Sequence, residues 1–246
     1  MVAVVAIASL AQPLYAQPDA PAPPSGYGET LQFAGYTWQT KTASTPVGPG
    51  PNYFTDNSQS VWVDDQGQLH LRLAPDDDGQ WYAAEVVCSA QFGYGSYWFY
   101  LNSPVDALDP NVILGLFTWD DDPAQNHREM DIEFGRFGDP AALPGRYTVQ
   151  PYQDPANVFQ FAPPPVEHSI QSFTWSPNSV AFQSWVGSAD DPTVPGAPIA
   201  SHTITRNIPS PGGHVRMNLW LDAGNPPTDG QPVEIVIGNF SFNAGG

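Results

Sequence analysis

Short segments in which polar and apolar residues alternate run through most of the chain, and they constrain its fold more than any other feature. In SVWVDDQGQLHLRL (60–73), apolar residues recur at every second position on both sides of a turn sequence. A period of two is typical of a β-strand with one buried face. The 28 prolines and 22 glycines separate such segments and disfavour long helices. The pattern predicts an all-β protein whose two sheets pack face to face.

One predicted strand, REMDIEF (128–134), carries three carboxylates at alternate positions. Glu129, Asp131 and Glu133 would share one face of it, and the apolar residues between them would share the other. Like charges this close destabilise one another, so folding alone does not favour the pattern. Their repulsion should keep at least one carboxyl protonated beside an ionised neighbour.

Glycoside hydrolysis needs that division between a protonated and an ionised carboxyl. A retaining glycosidase uses two carboxyls about 5–5.5 Å apart, one as nucleophile and one as acid/base. Residues four apart on a strand have Cα atoms roughly 13 Å apart, and long glutamate side chains could close most of that gap around a sugar ring. Two alternatives remain open at this point: an exposed acidic edge without chemistry, and a Ca²⁺ site.

The three-carboxylate segment resembles the E-x-D-x-E active-site strand of glycoside hydrolase family 16. The resemblance is closest to the bacterial lichenases (endo-β-1,3-1,4-glucanases) and the plant xyloglucan endotransglycosylases. It extends in the same order from about Phe54 to Phe242. The further segments that carry it are Ala84-Glu85, QFGYGSY (91–97), YTVQPY (147–152), His168 in EHSIQSFTW, and NIPSPGGHVRMNLW (207–220).

The resemblance implies a concanavalin A-like β-jelly-roll sandwich of two antiparallel sheets with a concave substrate cleft. It implies double displacement with retention, with Glu129 as nucleophile, Asp131 as assisting carboxylate and Glu133 as acid/base. No organic cofactor is required, and members often carry a structural Ca²⁺, for which this sequence assigns no ligands. The residues that would line the sugar subsites are Glu85, Gln150, Asn218 and Trp220.

Several residues around this site depart from the lichenase pattern. Lichenases typically have a tryptophan two residues before the nucleophile, whereas this chain has His127, as in the xyloglucan branch. Val87 stands in the region where the family has an arginine. We expect His127 to contact substrate and Trp119 to stack on a sugar ring, although tryptophans also pack in cores. These departures bear on the substrate more than on the chemistry.

The charge of the chain restricts its partners. Against 25 acidic residues stand only 7 basic ones, which gives a formal net charge of −18. Nucleic acids, anionic membranes and polyanionic substrates would be repelled, whereas a neutral polysaccharide would not. Acidity can also serve solubility alone. Cys88 is the only cysteine and excludes an intramolecular disulfide, and we expect a monomer.

The N-terminal segment reads as a targeting sequence followed by a tether. Residues 1–16, MVAVVAIASLAQPLYA, resemble a secretory signal peptide without a basic start, and a membrane anchor is the alternative. Residues 17–26 form a proline-rich tether. We expect residues 27–246 to form one catalytic domain, which is secreted and extracellular or periplasmic, with no contact to membranes after signal removal.

The sequence thus predicts a secreted retaining endo-β-glucanase that acts on a neutral β-1,3-1,4- or β-1,4-linked glucan. One alternative is a lectin-like jelly roll that binds carbohydrate without catalysis. Such a protein need not keep both glutamates and Asp131, so their presence favours the enzyme. The other alternative is a transglycosylase of the xyloglucan type, which passes the glycosyl group to a sugar instead of water.

Overall fold

The front sheet holds the three-carboxylate segment near its middle. The computed structural model describes residues 26–189 and 197–245, which are almost entirely strands and turns. Neighbouring strands of this sheet pair antiparallel. In spatial order the strands are β1 (Tyr27–Phe33), β2 (Tyr36–Lys41), β7 (Trp81–Gln91), β16 (His214–Leu221), β9 (Val112–Trp119), β10 (Met130–Phe134), β11 (Gly145–Val149) and β12 (Val158–Phe161).

The back sheet is also antiparallel and covers the inner face of the front sheet. Its strands, in spatial order, are β5 (Val61–Val63), β6 (Leu69–Pro75), β17 (Val233–Ala244), β8 (Gly95–Leu101), β13 (Ser169–Ser176), β14 (Ser179–Val186) and β15 (Ala200–Ile204). Strands β6 and β7 pair with each other and join the two sheets along one side. The prediction of an all-β jelly roll with two antiparallel sheets is confirmed.

Two short strands and three short 3₁₀ segments complete the described fold. Strand β3 (Ala43–Val47) pairs with β4 (Asn52–Phe54), which runs parallel to β7. The 3₁₀ turns span Pro123–Arg128, Pro155–Asn157 and Asp222–Gly224. None of the helices in 26–189 and 197–245 is long and apolar enough to cross a membrane.

The core lies between the two sheets and is rich in aromatic rings. Tyr97 stacks on Phe173 with ring centroids 4.5 Å apart, and Tyr147 stacks on Phe182 at 5.0 Å. Full burial of one such large side chain contributes roughly 1.5–3 kcal/mol. Because side chains alternate along each strand, this packing fixes which residues of the front sheet point outward.

The predicted strand REMDIEF is shorter than its sequence pattern suggested, since β10 begins only at Met130. The backbone of Asn126, His127 and Arg128 has positive φ angles of 48°, 58° and 49°, which are incompatible with a strand. Glu129 itself is extended and follows this turn. The predicted signal peptide (1–16) and tether (17–26) lie outside the described residues, apart from Gly26.

Candidate active site

The outer face of the front sheet carries a cleft of about 810 Å³. It contains eight of the nine residues that the sequence proposed for the site, and His127 is the exception. The cleft is lined by Lys41, Gly48, Pro49, Glu85, Gly115, Phe117, Trp119, Asp121, Glu129, Asp131, Glu133, Phe137, Arg146, Gln150, Tyr152, Arg216, Asn218 and Trp220.

Strand register aligns the polar residues of the cleft in a row across the sheet. Arg146 on β11 is opposite Glu133 on β10, which is opposite Gly115 on β9, and the row continues through Asn218 to Glu85. A Cβ atom at Gly115 would lie 2.5 Å from the Oδ1 atom of Asn218. The glycine therefore leaves the cleft floor open between Glu133 and Asn218.

The three carboxylates project from one side of β10, as the alternation predicted. Met130, which follows Glu129, is fully buried in the core, as are the other apolar residues of the strand. The backbone N–H of Gln150 donates to the carbonyl of Glu129 at 3.1 Å, and its side-chain Nε2 donates to Asp131 Oδ2 at 3.3 Å. Gln150 thus connects the start of β10 with its central carboxylate.

Burial is the main cause of unusual proton affinities in these carboxyls. It raises the pKa of Glu129 to about 8, with a further contribution from the charge of Glu133 and an opposing one from hydrogen bonding to Asp131. Burial and both glutamates also raise the pKa of Asp131 well above its usual range. The pKa of Glu133 is raised by burial, and Arg146 partly offsets this. The three groups therefore titrate as a coupled set, each with a higher proton affinity than an ordinary carboxyl.

Glu85 anchors a buried charged cluster in another part of the cleft. Its side chain is 1% exposed and accepts from Lys41 Nζ at 3.1 Å and from Arg216 Nη1 at 3.0 Å. Lys41, the only lysine of the chain, also donates to the carbonyl of Gly48 at 2.7 Å. Asn218 Nδ2 donates to Glu85 at 3.3 Å. Glu85 thereby holds two cations and the rim at Gly48 in place.

Two buried polar atoms of this cluster have no hydrogen-bond partner among the described residues, namely Arg216 Nε and Asn218 Oδ1. One is a donor and the other an acceptor, and both side chains line the cleft. An unsatisfied buried polar group costs about 1–3 kcal/mol. A sugar hydroxyl can both donate and accept, so it matches this pair.

His127 lies behind Trp119 and does not line the cleft. The two rings stack with centroids 4.1 Å apart and an interplanar angle of 6°. Imidazole Nδ1 lies 3.0 Å from the carbonyl of Asp120. The positive φ of His127 turns its side chain away from the row of carboxylates, and in this arrangement it supports Trp119. The proposed contact of His127 with substrate has no counterpart in this geometry.

Aromatic side chains flank the row of carboxylates on several sides. Trp119 and Trp220 both line the cleft, and Trp220 lies against Phe137 at 6.3 Å between ring centroids. Tyr152, which is 54% exposed, lies on the rim above the guanidinium of Arg146. Amphipathic aromatic faces of this kind suit the apolar faces of sugar rings.

Sequence reasoning missed the cations of the cleft. Arg216 could have been found from the alternation along β16, because it precedes Asn218 by two residues and so shares its face. Arg216 is also the register partner of Val87, which stands in the region where the family has an arginine. Arg146 could have been found in the same way, because it precedes Gln150 by four residues and so shares its face. Its contact with Glu133, and that of Lys41 with Glu85, could not have been found from the sequence pattern, since strand pairing creates them.

No cluster of three or more His, Cys, Asp or Glu side chains within 26–189 and 197–245 is arranged to hold a metal ion. The two runs of three consecutive aspartates, at 76–78 and 120–122, form no such cluster either. The structural Ca²⁺ expected from the resemblance therefore remains a prediction without ligands.

Comparison with solved structures identifies the fold. A β-glucanase of Bacillus licheniformis is 19% identical over 92% of this chain and 96% of that one, with a TM-score of 0.59. An endo-1,3-β-glucanase from Streptomyces sioyaensis is 17% identical over 91% and 98%, with a TM-score of 0.59. Rv0315 of Mycobacterium tuberculosis, described as an immunostimulatory antigen and pseudo β-1,3-glucanase, is 20% identical over 85% and 91%, with a TM-score of 0.62.

No protein-family model matches the chain, and no curated protein matches it. Identities of 17–20% to solved structures are informative about the fold alone. The resemblance inferred from the sequence motifs is confirmed at that level: the chain has the β-jelly-roll fold of the β-glucanases.

Proposed function

We propose that the protein is a retaining endo-β-glucanase of glycoside hydrolase family 16 that hydrolyses a neutral β-1,3-1,4- or β-1,4-linked glucan. The observation that carries the proposal is the placement of Glu129, Asp131 and Glu133 on one side of β10, in a cleft flanked by aromatic rings. The β-glucanases among the structural neighbours support the substrate class. We further propose that the protein is secreted and acts as a monomer.

The chemistry proposed for the cleft proceeds in two displacements. Glu129 attacks the anomeric carbon while Glu133 donates a proton to the departing glycosidic oxygen, which leaves a glycosyl ester on Glu129. Glu133 then accepts a proton from a water molecule, whose oxygen displaces Glu129 with net retention. Asp131 lies between the two glutamates. Its hydrogen bond to Glu129 opposes the rise in the pKa of that group, and both glutamates raise the pKa of Asp131 itself.

A carbohydrate-binding protein without hydrolytic activity is the second candidate. It is favoured by one structural neighbour, Rv0315, which is described as a pseudo β-1,3-glucanase. Such a protein would use the cleft and its aromatic rings but would not turn over glucan. The presence of both glutamates and Asp131 supports the enzyme over this candidate, and a transglycosylase would share all three.

Reducing-sugar release tests the proposal. We expect the purified domain to hydrolyse one of barley β-glucan, lichenan or xyloglucan. The variant Glu129→Ala should release no reducing sugar and serves as the blank. Laminarin and agarose complete the set of substrates. Activity on laminarin alone would correct the linkage, and chain elongation with an added acceptor oligosaccharide would indicate a transglycosylase. Binding without hydrolysis on all five would contradict the enzyme and favour the second candidate.

Asp131→Asn should lower kcat by about 10²-fold without abolishing it. The substitution retains the size of the side chain but removes an ionisable group that lies between the two glutamates. Both catalytic glutamates remain, but their proton affinities are no longer adjusted by a neighbouring carboxyl. The measurement is kcat on the best polysaccharide, with Asp154→Asn as a control outside the cleft. Wild-type kcat in Asp131→Asn would refute the assisting role.

A further inference from the structure

Arg146 is the cation nearest to Glu133, and its position is fixed by the fold. The two residues are register partners on β11 and β10. Arg146 Nε lies 3.8 Å from Glu133 Oε2, and both side chains are only 17% exposed. No residue of the sequence motifs pointed to this arginine.

Three neighbours hold the guanidinium of Arg146 against Glu133. Arg146 Nε donates to Thr148 Oγ1 at 3.1 Å. The guanidinium carbon lies 5.0 Å from the ring centroid of Phe137 and 5.6 Å from that of Tyr152. A planar guanidinium bound in this way loses little further freedom when it acts on a carboxylate. Arg146 is therefore preorganised within the cleft.

We propose that Arg146 is a positioning residue for Glu133, which restrains the carboxylate and favours its ionised form. The inference deepens the proposed function and rests on it for the catalytic role of Glu133. It assigns Arg146 a part in turnover that the sequence motifs did not suggest.

The need for such a cation follows from the other groups that face Glu133. Glu129 and Asp131, on its own side of β10, are carboxyls and bring no positive charge. On β9 the facing residue is Gly115, which brings no charge. Farther along the row, Arg216 and Lys41 are engaged by Glu85. Among the described residues of the cleft, Arg146 is thus the cation placed to offset burial at Glu133.

Turnover requires Glu133 to lose its proton as well as to donate it. The acid/base is protonated when the glycosidic oxygen departs and ionised when water attacks the glycosyl ester. Burial favours the protonated form of Glu133, and Arg146 opposes this. Loss of Arg146 would shift the balance further toward the protonated form of Glu133 and slow the second displacement.

The test is a titration of the Glu133 carboxyl carbon by ¹³C NMR in the full domain, with the signal assigned from Glu133→Gln. In Arg146→Met the midpoint should rise by about one to three pH units, and Arg146→Lys should restore part of the wild-type value. Thr148→Val, which removes the acceptor of Arg146 Nε, should shift it in the same direction by less. A midpoint in Arg146→Met equal to that of the wild type would overturn the proposal.

Arg206→Met is the matched control, because Arg206 Nη1 lies at the same 3.8 Å distance from Asp154 Oδ2 but is 67% exposed. It should leave the Glu133 midpoint unchanged, and a shift equal to that of Arg146→Met would overturn the specific role. The titration needs no substrate, so it gives its result even if the protein proves inactive.

Kinetics provide the second readout for an active enzyme. The upper limb of the kcat/KM pH profile should move to higher pH in Arg146→Met. With an aryl glycoside that has a good leaving group, this variant should accumulate the glycosyl-enzyme, which is detected as added mass. An unshifted profile together with no accumulation would contradict the role in turnover, whatever the titration shows.

Discussion

Glu129→Ala is expected to lower kcat on polysaccharide by at least about 10⁴-fold, and Glu133→Ala to have a comparable effect. Each substitution removes one of the two carboxyls that double displacement requires, and the remaining carboxyl cannot perform both roles. Both side chains face the cleft, so their truncation creates no hole between the sheets. Circular dichroism and thermal melts should therefore remain close to those of the wild type.

Azide distinguishes the two glutamates by the product that it forms. In Glu129→Ala the anion can occupy the place of the nucleophile and should yield an α-glycosyl azide. In Glu133→Ala it should attack the glycosyl-enzyme and yield a β-glycosyl azide. NMR of the products reads the configuration directly. This experiment is needed because the pKa of both glutamates is raised, so proton affinity alone does not assign their roles.

Glu234→Ala is the control for both variants. Glu234 lies on the back sheet, where its carboxylate is 2.8 Å from His70 Nδ1 and 39% exposed. We expect wild-type kcat and no azide product from it. If Glu129→Ala gave the β-azide and Glu133→Ala the α-azide, the roles of the two glutamates would be reversed. Retention of activity in either cleft variant would refute the two-carboxylate chemistry.

Period-two alternation was enough to predict the strands and the face that carries the three carboxylates, because strand geometry fixes both. It could not indicate that β10 begins only at Met130, since left-handed backbone at Asn126, His127 and Arg128 leaves no trace in polarity. The place of His127 was missed for the same reason. In a strand, His127 would share a face with Glu129, two residues later. Because His127 lies within this turn, its ring instead stacks behind Trp119.

Contacts between residues on neighbouring strands form the part of the site that period-two alternation cannot predict. Glu133 and Arg146 are 13 residues apart in sequence and meet only through the β10–β11 register. Glu85 and Arg216 are 131 residues apart and meet through the β7–β16 pairing. One-dimensional patterns assign a residue to a face, whereas its neighbours on that face depend on strand order. The ion pairs of the cleft belong to this second category, although the faces of Arg146 and Arg216 do not.

Glu85→Ala is expected to lower the free energy of unfolding by about 3 kcal/mol, near the lower end of the range for breaking a buried ion pair. The substitution leaves Lys41 and Arg216 without their shared counterion, although both still contact water in the cleft, with 16% and 11% exposure. For a domain of this size the melting temperature should fall by roughly 6–12 °C. Chemical denaturation and calorimetry at pH 7 measure both quantities.

A double-mutant cycle separates loss of the ion pair from loss of packing. Glu85→Ala/Arg216→Met should be less destabilised than the sum of its two single variants, because the second substitution removes one of the stranded cations. Glu234→Ala, in an exposed pair, should cost at most about 1 kcal/mol. Equal losses in Glu85→Ala and Glu234→Ala would mean that the buried cluster does not hold this part of the fold together.

Ligand linkage connects the stability of this cluster with its function. An oligosaccharide that binds the native cleft should raise the melting temperature of the wild type, in proportion to RT ln(1 + [L]/Kd). If the unpartnered Arg216 Nε and Asn218 Oδ1 bind sugar hydroxyls, this increase should be lost in Glu85→Ala, whose cluster is no longer held in place. An undiminished increase would mean that glucan binds elsewhere along the cleft and that the cluster serves the fold alone.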